Sequence, residues 1–401
     1  MDHHSLAMPP LADRPSAFTP QSRACMARVL VLGAAGAMAT VAVEDLLRET
    51  SHELVLADLS IERLEPWRSG QPDRVHTRVV DVRNGDALAS TLADADVVLN
   101  TTYMRYAVPV ARAAIAAGVD LVDLGSYEET TLELLALDDD ARRAGCRVVP
   151  GSGAGPGLIA LLGRHGADQL TSVRSIELYS HLNDPIGMSP GIVLTRFESS
   201  VGDAPVREDG VLRRRPCFTN SRTVDFPAPI GPIRVYHLPH PEPITLPRFV
   251  DAQDVTYMLG YGDEEERLVR GLLDLGFHSE EPVAVGDVAI SPAAFTAAAI
   301  GGRGIEPTRE TVNAKHVVVS GTRDGIDTQL IYDLVVRCVG ASASALLTGV
   351  CAAIGTDLIA QGGPVGVVPA EGAFDPSVFL RALAERGFAV QETRIAREMV
   401  L

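Results

Sequence analysis

The sequence contains few cysteines, and their arrangement does not organise a fold. Its 401 residues include five cysteines and no CxxC pair. The odd count and the wide spacing argue against a disulfide framework or a cysteine-based zinc site. Reduced thiols are typical of a cytoplasmic protein, and that is the localisation we predict. The five are Cys25, Cys146, Cys217, Cys338 and Cys351.

Positive charge is also scarce. The chain has 35 basic and 52 acidic residues, which give a formal net charge of −17 at pH 7. A nucleic acid or an anionic membrane surface requires a positively charged protein face. We therefore expect neither as a partner, and a small molecule as the ligand.

Long uninterrupted hydrophobic runs are absent, although 46% of the residues are hydrophobic and can form a sizeable core. The segment "SASALLTGVCAAIGTDLIAQGG" is interrupted by Asp357, and "SPAAFTAAAIGG" is too short to cross a bilayer. We predict no membrane-spanning segment. Residues 1–26 have neither a positive n-region nor an apolar h-region, so they are predicted to be a flexible lead rather than a signal peptide.

The rest of the chain divides into three parts by its hydrophobic pattern. In residues 27–170, apolar strand-like runs alternate with helical patterns, which is typical of a parallel sheet covered on both faces. Residues 171–340 contain longer alternating segments separated by turn residues, including Asp324-Gly325, and these predict a mixed or antiparallel sheet. Residues 341–401 return to helical patterns, and their small-residue helix is expected to pack closely on the first domain.

The predicted fold class is therefore α/β. We expect a Rossmann doubly wound parallel sheet, interrupted by an α+β substrate domain with a mixed sheet. The last part of the chain is expected to return to the Rossmann domain.

The segment "LGAAGAMA" has the context of a dinucleotide-binding turn, because it follows the apolar run "ARVLV" and precedes a helical pattern. Gly33 and Gly36 occupy two glycine positions of such a turn, whereas Ala35 and Met38 replace the others. The variant pattern GxxGxxA still fits, with Ala39 as the residue of close packing. The alternative is a βα turn that binds nothing.

An acidic residue follows the next predicted strand, "ELVLAD". Asp58 lies 25 residues after Gly33, near the expected spacing of about 20. A carboxylate there binds the ribose hydroxyls and repels a 2′-phosphate, so NAD is the predicted cofactor. Arg63 on the following helix leaves NADP possible, and Asp58 has the alternative role of a helix cap.

Ligands of doubly wound sheets lie at the carboxyl ends of the strands. The predicted cofactor contacts are the turn, the end of the second strand and the loops that follow the later strands. They are Gly33, Ala35, Gly36, Ala37, Met38, Asp58, Leu59, Asp81, Val82, Thr101, Thr102, Tyr103, Ser126, Pro156 and Gly157.

Taken in order, several segments resemble the saccharopine dehydrogenase-like family. They are "VLVLGAAGAMA", "VVDVRNGDAL", "ADVVLNTTYMRYAVPVARAAIAAGVDLVDLGS", "ARRAGCRVVPGSGAGPGLIALL", "HPEPITLPRF" and "VPAEG". The resemblance runs from Arg28 to Arg394, and its most specific element is Pro156-Gly157 after a glycine-rich loop. It implies a Rossmann domain interrupted by a substrate domain, a homodimer, and NAD(P)-dependent oxidation of an amine or reduction of an imine.

An amino-acid substrate would need a cation for its carboxylate, and arginine makes bidentate contacts to that group. Arg105, in the loop after the fourth strand, is one candidate, although a solvated loop arginine is the alternative. Arg196 and Arg248 are candidates from the second domain.

Proton transfer to or from the amine needs a group within hydrogen-bond reach of its nitrogen. Asp123, Tyr127, Glu128 and His240 are the candidates by position. Their structural alternatives are helix capping, packing between domains and compensation of a helix dipole. His237 and His240 have no further ligand at metal spacing, so no metal is expected.

The predicted function is NAD(P)-dependent oxidation of an amino acid or an amino-acid-derived amine, of the lysine 6-dehydrogenase type. One alternative is an NADPH-dependent imine reductase of the saccharopine or carboxynorspermidine type. A second alternative, from another class, is a dinucleotide-binding sensor without turnover.

Overall fold

The computed structural model describes residues 26–125 and 127–397. The predicted lead therefore lies outside the described residues except for Met26, and so does the predicted cofactor contact Ser126.

The first domain is a parallel sheet with helices on both faces. Its strands are short apolar runs because both faces are covered, and β1 and β4 are almost entirely buried. The strands are β1 (Arg28–Leu32), β2 (Glu53–Asp58), β3 (Val75–Val79), β4 (Val97–Asn100), β5 (Asp120–Asp123) and β6 (Arg147–Val149). The helices are α1 (Ala37–Glu49), α2 (Glu65–Gly70), α3 (Gly85–Leu92), α4 (Ala107–Ala117), α5 (Glu128–Leu135), α6 (Asp138–Ala144) and α7 (Leu158–Ala167).

The second domain is built on a mixed sheet. Its strands are β7 (Ser172–Leu182), β8 (Asp203–Glu208), β9 (Val211–Pro216), β10 (Arg222–Phe226), β11 (Gly231–His237), β12 (Ala252–Tyr261), the hairpin β13 (Val283–Val285) and β14 (Val288–Ile290), β15 (Glu310–Arg323) and β16 (Ile326–Val339). Its helices are α8 (Pro190–Glu198), α9 (Glu242–Thr245), α10 (Asp263–Asp274) and α11 (Pro292–Ile300). Short 3₁₀ turns lie at Met104–Tyr106, Ile186–Met188 and Leu246–Arg248.

The C-terminal part of the chain contains α12 (Ala343–Gln361), β17 (Gly366–Val367), α13 (Ala370–Ala373), α14 (Pro376–Glu385) and β18 (Gln391–Arg397). Both α12 and β17 join the first domain, where β17 pairs with β6. By contrast, β18 pairs with β16 in the second sheet, although residues 341–401 were expected to return to the Rossmann domain. The alternating segment "QETRIAR" thus forms an edge strand of the mixed sheet.

The strand order of the first sheet is β3-β2-β1-β4-β5-β6-β17. The order reverses between β1 and β4, and this reversal opens a crevice at the carboxyl ends of the strands where dinucleotides bind. The main path of the second sheet is β10-β11-β12-β7-β15-β16-β18, with β7 and β12 parallel and the other neighbours antiparallel. The predicted fold class, a Rossmann sheet with a mixed second sheet, is confirmed.

The longest hairpin of the second sheet turns at Asp324-Gly325, as the sequence predicts. Both turn residues have positive φ, 54° and 82°, which matches the twist of a two-residue hairpin. The turn sets the register of β15 against β16 over their whole length.

The helix α12 has the length and hydropathy of a membrane span, but 67% of its apolar stretch is buried within the structure. It packs against α1 at very short range. A Cβ on Gly349 would lie 2.5 Å from the Met38 carbonyl oxygen and 2.5 Å from the Val41 Cβ. Only glycine allows these two helices to approach so closely.

We predict that Gly349→Ala destabilises the protein by about 1–3 kcal/mol, because the new methyl group overlaps backbone atoms that cannot move aside. The matched control is Gly271→Ala on α10, where a Cβ would meet nothing within 4 Å. That change should be neutral or stabilising by up to about 1 kcal/mol. Urea unfolding measures both, and equal effects would contradict the close α1–α12 contact.

Candidate active site

The turn between β1 and α1 has the conformation of a dinucleotide-binding turn. Gly33 has a φ of +77°, and a Cβ on it would lie 3.1 Å from the Thr101 hydroxyl oxygen. Gly36 precedes α1 without a side-chain cap, and both Gly36 and Ala37 are exposed. The first N–H groups of α1 are therefore open to an anion, as a bound pyrophosphate requires. Ala35 is buried in the turn, and Met38 is half-buried.

The carboxylate of Asp58 is fixed against this turn. One oxygen accepts a hydrogen bond from the Ala35 amide at 2.9 Å, and the other accepts from the Leu59 amide at 2.8 Å. These two donors hold the group at the end of β2, the position from which a ribose contact is made. Asp81, after β3, lies in a bidentate pair with Arg83, which lowers the pKa of Asp81 to about 2. Its neighbour Val82 is half-buried.

The loop after β4 connects the cofactor crevice to the second domain. The Thr101 hydroxyl donates to the Leu32 carbonyl oxygen at 2.6 Å, and the Thr102 hydroxyl donates to the Asn100 amide oxygen at 2.7 Å. The Tyr103 hydroxyl donates to the Glu198 carboxylate on α8. Burial, together with this contact, raises the pKa of Tyr103 well above its ordinary value.

The loop that carries Pro156-Gly157 requires glycine for a geometric reason. Gly157 has a φ of +110°, and a Cβ on it would lie 2.4 Å from the Gly153 carbonyl oxygen. The tight turn returns the chain into α7 and leaves Gly153, Ala154 and Gly155 facing the space between the domains.

A cavity of about 150 Å³ lies between the two domains. The first domain and α12 supply one wall, and the second sheet with α8 supplies the other. The lining residues are Met38, Leu124, Gly153, Ala154, Gly155, Ser180, Leu182, Asp184, Met188, Ile192, Thr195, Arg196, Ser199, Leu238, Pro239, His240, Tyr257, Leu259, Asn313, Lys315, Ser344 and Thr348.

Of the three arginines predicted to bind a carboxylate, the structure brings only Arg196 into this cavity. Its guanidinium lies 4.5 Å from the ring centre of Tyr261, and within the described residues no carboxylate lies within 4.0 Å of it. Arg105 has a side chain that is 54% exposed and forms an ion pair with Glu280. Arg248 is exposed at the end of a 3₁₀ turn and does not line the cavity.

Of the four residues predicted to transfer a proton, only His240 lines the cavity. Its ring stacks on Tyr257 with 3.9 Å between the ring centres, and its Nδ1 contacts the fully buried carboxylate of Glu242. Within the described residues, the second oxygen of Glu242 has no hydrogen-bond partner. Burial and the charge of Glu242 help raise the pKa of a second buried carboxyl group, Glu371, to about 7. These glutamates belong to the segments "HPEPITLPRF" and "VPAEG".

The other three candidates for proton transfer do not line the cavity, and their contacts are structural. Asp123 is buried at the end of β5 and accepts from Asn100 at 2.6 Å, and burial raises its pKa to about 6. Tyr127 is half-buried before α5, where burial raises its pKa. Glu128 forms a bidentate ion pair with Arg214 of the second domain, at 2.5 and 2.6 Å.

Two charged residues of the cavity were not predicted from the sequence. Lys315, on β15, is 2% exposed, and its Nζ donates to the Ser180 hydroxyl at 2.6 Å. Burial lowers the pKa of Lys315 to about 8. One signal was available, because Lys315 is the only lysine among the 35 basic residues of the chain.

The second missed residue is Asp184, which follows β7 and is 1% exposed. Its two carboxylate oxygens accept hydrogen bonds from the hydroxyls of Ser342 and Ser344 at the start of α12. Nothing in the local sequence indicated this role. No group of three His, Cys, Asp or Glu side chains in residues 26–125 and 127–397 is arranged to hold a metal ion.

Two family models match the chain. The model of the saccharopine dehydrogenase NADP-binding domain matches residues 29–149, and that of the saccharopine dehydrogenase C-terminal domain matches residues 195–388. The chain belongs to the saccharopine dehydrogenase family. As a member, it is an NAD(P)-dependent oxidoreductase, and the turn at Gly33 lies within the matched cofactor domain. The family resemblance and the NAD(P) cofactor predicted from the sequence are thereby confirmed.

Individual members of the family differ in how much of the chain they match. A carboxyaminopropylagmatine dehydrogenase from Synechocystis is 24% identical and aligns over 92% of this chain and 98% of its own length. A carboxynorspermidine synthase from Vibrio cholerae is 26% identical, but the alignment covers 38% of this chain and 37% of that protein. The structure of apo saccharopine dehydrogenase (L-Glu forming) from Saccharomyces cerevisiae superposes with a TM-score of 0.69, at 17% identity, over 92% of this chain and all of that one. This last likeness establishes the fold.

Proposed function

We propose that this oxidoreductase reversibly reduces an imine to a secondary amine, and that the substrate carries both a carboxylate and a cationic amine. The observation that carries this proposal is Arg196, a cavity arginine with no carboxylate partner among the described residues. An arginine held in a largely buried position without an anion is matched by a substrate carboxylate, which it can bind through two parallel hydrogen bonds.

The same cavity offers an anion for the amine end of the substrate. Asp184 is fixed by the hydroxyls of Ser342 and Ser344 and lines the cavity together with Arg196. Arg196 and Asp184 therefore place a cation and an anion in one cavity, and this pair complements a molecule with both charges. The net charge of −17 also favours the approach of a cationic amine.

The names of two relatives combine the same chemical groups. Carboxyaminopropylagmatine dehydrogenase and carboxynorspermidine synthase are both named for amines that carry a carboxyl group. A carboxylated amine of this kind is the substrate class that we propose. Oxidation of an amine, the direction favoured by the sequence analysis, uses the same site in reverse.

When bound, the reduced nicotinamide supplies the hydride for this reaction. The protein orients the substrate and handles protons. Arg196 would hold the carboxylate, and His240 with Glu242 would exchange the proton of the amine nitrogen. Both side chains reach the cavity from the second domain, opposite the wall that contains Met38 of the cofactor turn.

We also propose that NAD is preferred to NADP, because Asp58 is held at the end of β2 by two backbone amides.

We further propose that the enzyme is a cytoplasmic homodimer. Large apolar side chains are exposed together on the part of the chain from α10 to α11, and burial between two copies would remove them from water. Light scattering in solution tests the dimer. These side chains are Leu275, Phe277, Val283, Val285, Val288 and Phe295.

The reaction is tested with purified enzyme, reduced NAD or NADP, and pairs of a carboxylated aldehyde with a diamine. We expect cofactor oxidation together with a new secondary amine detected by mass spectrometry. A parallel assay supplies L-amino acids and diamines with the oxidised cofactors. If the enzyme only oxidises a primary amine to an aldehyde, the proposed substrate class is wrong. If no substrate is converted in either direction, the proposed catalysis is contradicted.

We predict that Arg196→Met raises the KM for the carboxylated substrate at least tenfold, because a charge-assisted pair worth about 1.5–3 kcal/mol is lost. The matched controls are Arg105→Met and Arg248→Met, which remove arginines outside the cavity. Neither should change KM appreciably. Steady-state kinetics with a carboxylated and an uncarboxylated aldehyde test this prediction. An equal rise in KM for both aldehydes would contradict the carboxylate contact.

We predict that Asp58→Asn weakens NAD binding by about tenfold or more and weakens NADP binding much less. The variant removes the charge that binds ribose hydroxyls and repels the 2′-phosphate. Fluorescence titration of NADH and NADPH measures the two affinities. Equal losses for both would show that Asp58 acts only by stabilising the turn.

A further inference from the structure

One side chain of the cavity has chemistry that the proposed proton transfer does not use. Lys315 lies in the middle of β15 and is paired in register with Ser180 on β7. Its Nζ contacts the Ser180 hydroxyl at 2.6 Å and lines the interdomain cavity. A buried position of this kind usually holds an apolar residue, or a cation that is paired with a carboxylate, because burial of an unpaired charge is costly.

The surroundings of Lys315 leave its amine without a salt bridge. Within the described residues no carboxylate lies within 4.0 Å of Nζ. Burial lowers the pKa of Lys315 to about 8, which favours the unprotonated amine relative to an exposed lysine. The titratable groups around it on the neighbouring elements are Asp184, His181, His240, Glu242, Tyr257 and Cys351.

The space beside the amine is open because Gly155 has no side chain. A Cβ on Gly155 would lie 3.7 Å from the Lys315 Nζ and 3.8 Å from the His240 Cε1. The amine and the imidazole therefore flank the same small volume at the cavity wall. A carbonyl carbon placed there would have a nucleophile on one side and a proton-transfer group on the other.

We propose that Lys315 forms an imine with the carbonyl substrate and passes that carbonyl carbon to the amine substrate. This inference rests on the proposed function, since it assigns a residue to the formation of the imine that is then reduced. A lysine amine that is desolvated in this way is suited to attack carbonyl carbons.

The chemistry balances without any additional reactant. The unprotonated Nζ adds to the carbonyl carbon, protons move from nitrogen to oxygen, and one water leaves as the C=N bond forms. The substrate amine then adds to that carbon, and the Lys315 amine leaves with the proton that it requires. The result is the same substrate imine that direct condensation would give, with one water released in total. His240 is placed to carry the protons between nitrogen and oxygen.

The single lysine makes this step directly measurable. The full-length enzyme is mixed with 4-oxobutanoate, without nicotinamide cofactor, and is then treated with sodium borohydride. We expect one stable adduct per chain, located on the peptide that contains Lys315 by mass spectrometry. Peptide mapping separates it from any adduct of the α-amino group. Addition of 1,3-diaminopropane before borohydride should discharge most of the label, because the diamine takes over the carbonyl carbon.

Two variants control for folding and for charge. Lys315→Arg keeps the positive charge but cannot form an imine, and Lys315→Met keeps the length without the charge. We expect neither to be labelled, and we expect kcat to fall at least a hundredfold in both. NADH fluorescence titration and thermal unfolding identify a variant that retains the fold. Ser180→Ala keeps the amine and should still be labelled.

The possible outcomes distinguish a failure of this inference from a failure of the proposed function. Turnover of an aldehyde–amine pair with no label at Lys315 would overturn the imine and leave the function standing. A folded Lys315→Arg that keeps kcat within about threefold would also overturn it. A discharged label at Lys315 without turnover of any pair would uphold the imine and reject the proposed reduction.

Discussion

The contact between α1 and α12 determines where every other part of the site can lie. Gly349 brings α12 so close to α1 that an added Cβ would meet the carbonyl oxygen of Met38 at 2.5 Å. The same helix presents Ser344 and Thr348 to the cavity. Two helices packed this closely can shift very little against each other. The contact therefore fixes the cofactor turn relative to the second sheet. The carboxyl ends of the Rossmann strands therefore face the cavity wall that carries Lys315.

Burial explains why the charge states of the polar groups around the cavity depend on one another. Lys315 and Asp184 are almost fully buried, so the charge state of each depends strongly on its neighbours. Asp184 has two hydroxyl donors, whereas Lys315 has one hydroxyl partner and a lowered pKa. Arg196 has an aromatic face and no anion among the described residues. In the proposed reaction, Arg196 and Asp184 would bind the two ends of the substrate, and Lys315 would lie near its centre.

Much of the fold could be predicted from the sequence because it depends on local patterns. Alternating apolar runs and helices predicted the parallel sheet, and Asp324-Gly325 predicted the hairpin of the second sheet. The position of β18 could not be predicted in this way. A short alternating segment at the end of a chain can pair with either sheet, and only the free edge at β16 decides the outcome.

The site was predicted less completely, for a physical reason. Position after a strand identified the turn at Gly33 and the carboxylate of Asp58, because such positions converge in any doubly wound sheet. It did not separate Arg196 from Arg105, since burial depends on the tertiary packing of α8. Lys315 sits within an apolar strand, where spacing gives no functional signal. Its isolation as the only lysine of the chain was the signal that composition contained.

A crystal structure with oxidised cofactor and a carboxylated secondary amine tests the central claim most directly, namely that the interdomain cavity is the substrate site. We expect the carboxylate to lie on the guanidinium of Arg196 and the amine nitrogen to lie between Lys315 and His240. A ligand bound outside this cavity, or with its carboxylate on Arg105 or Arg248, would show that the cavity is not the substrate site.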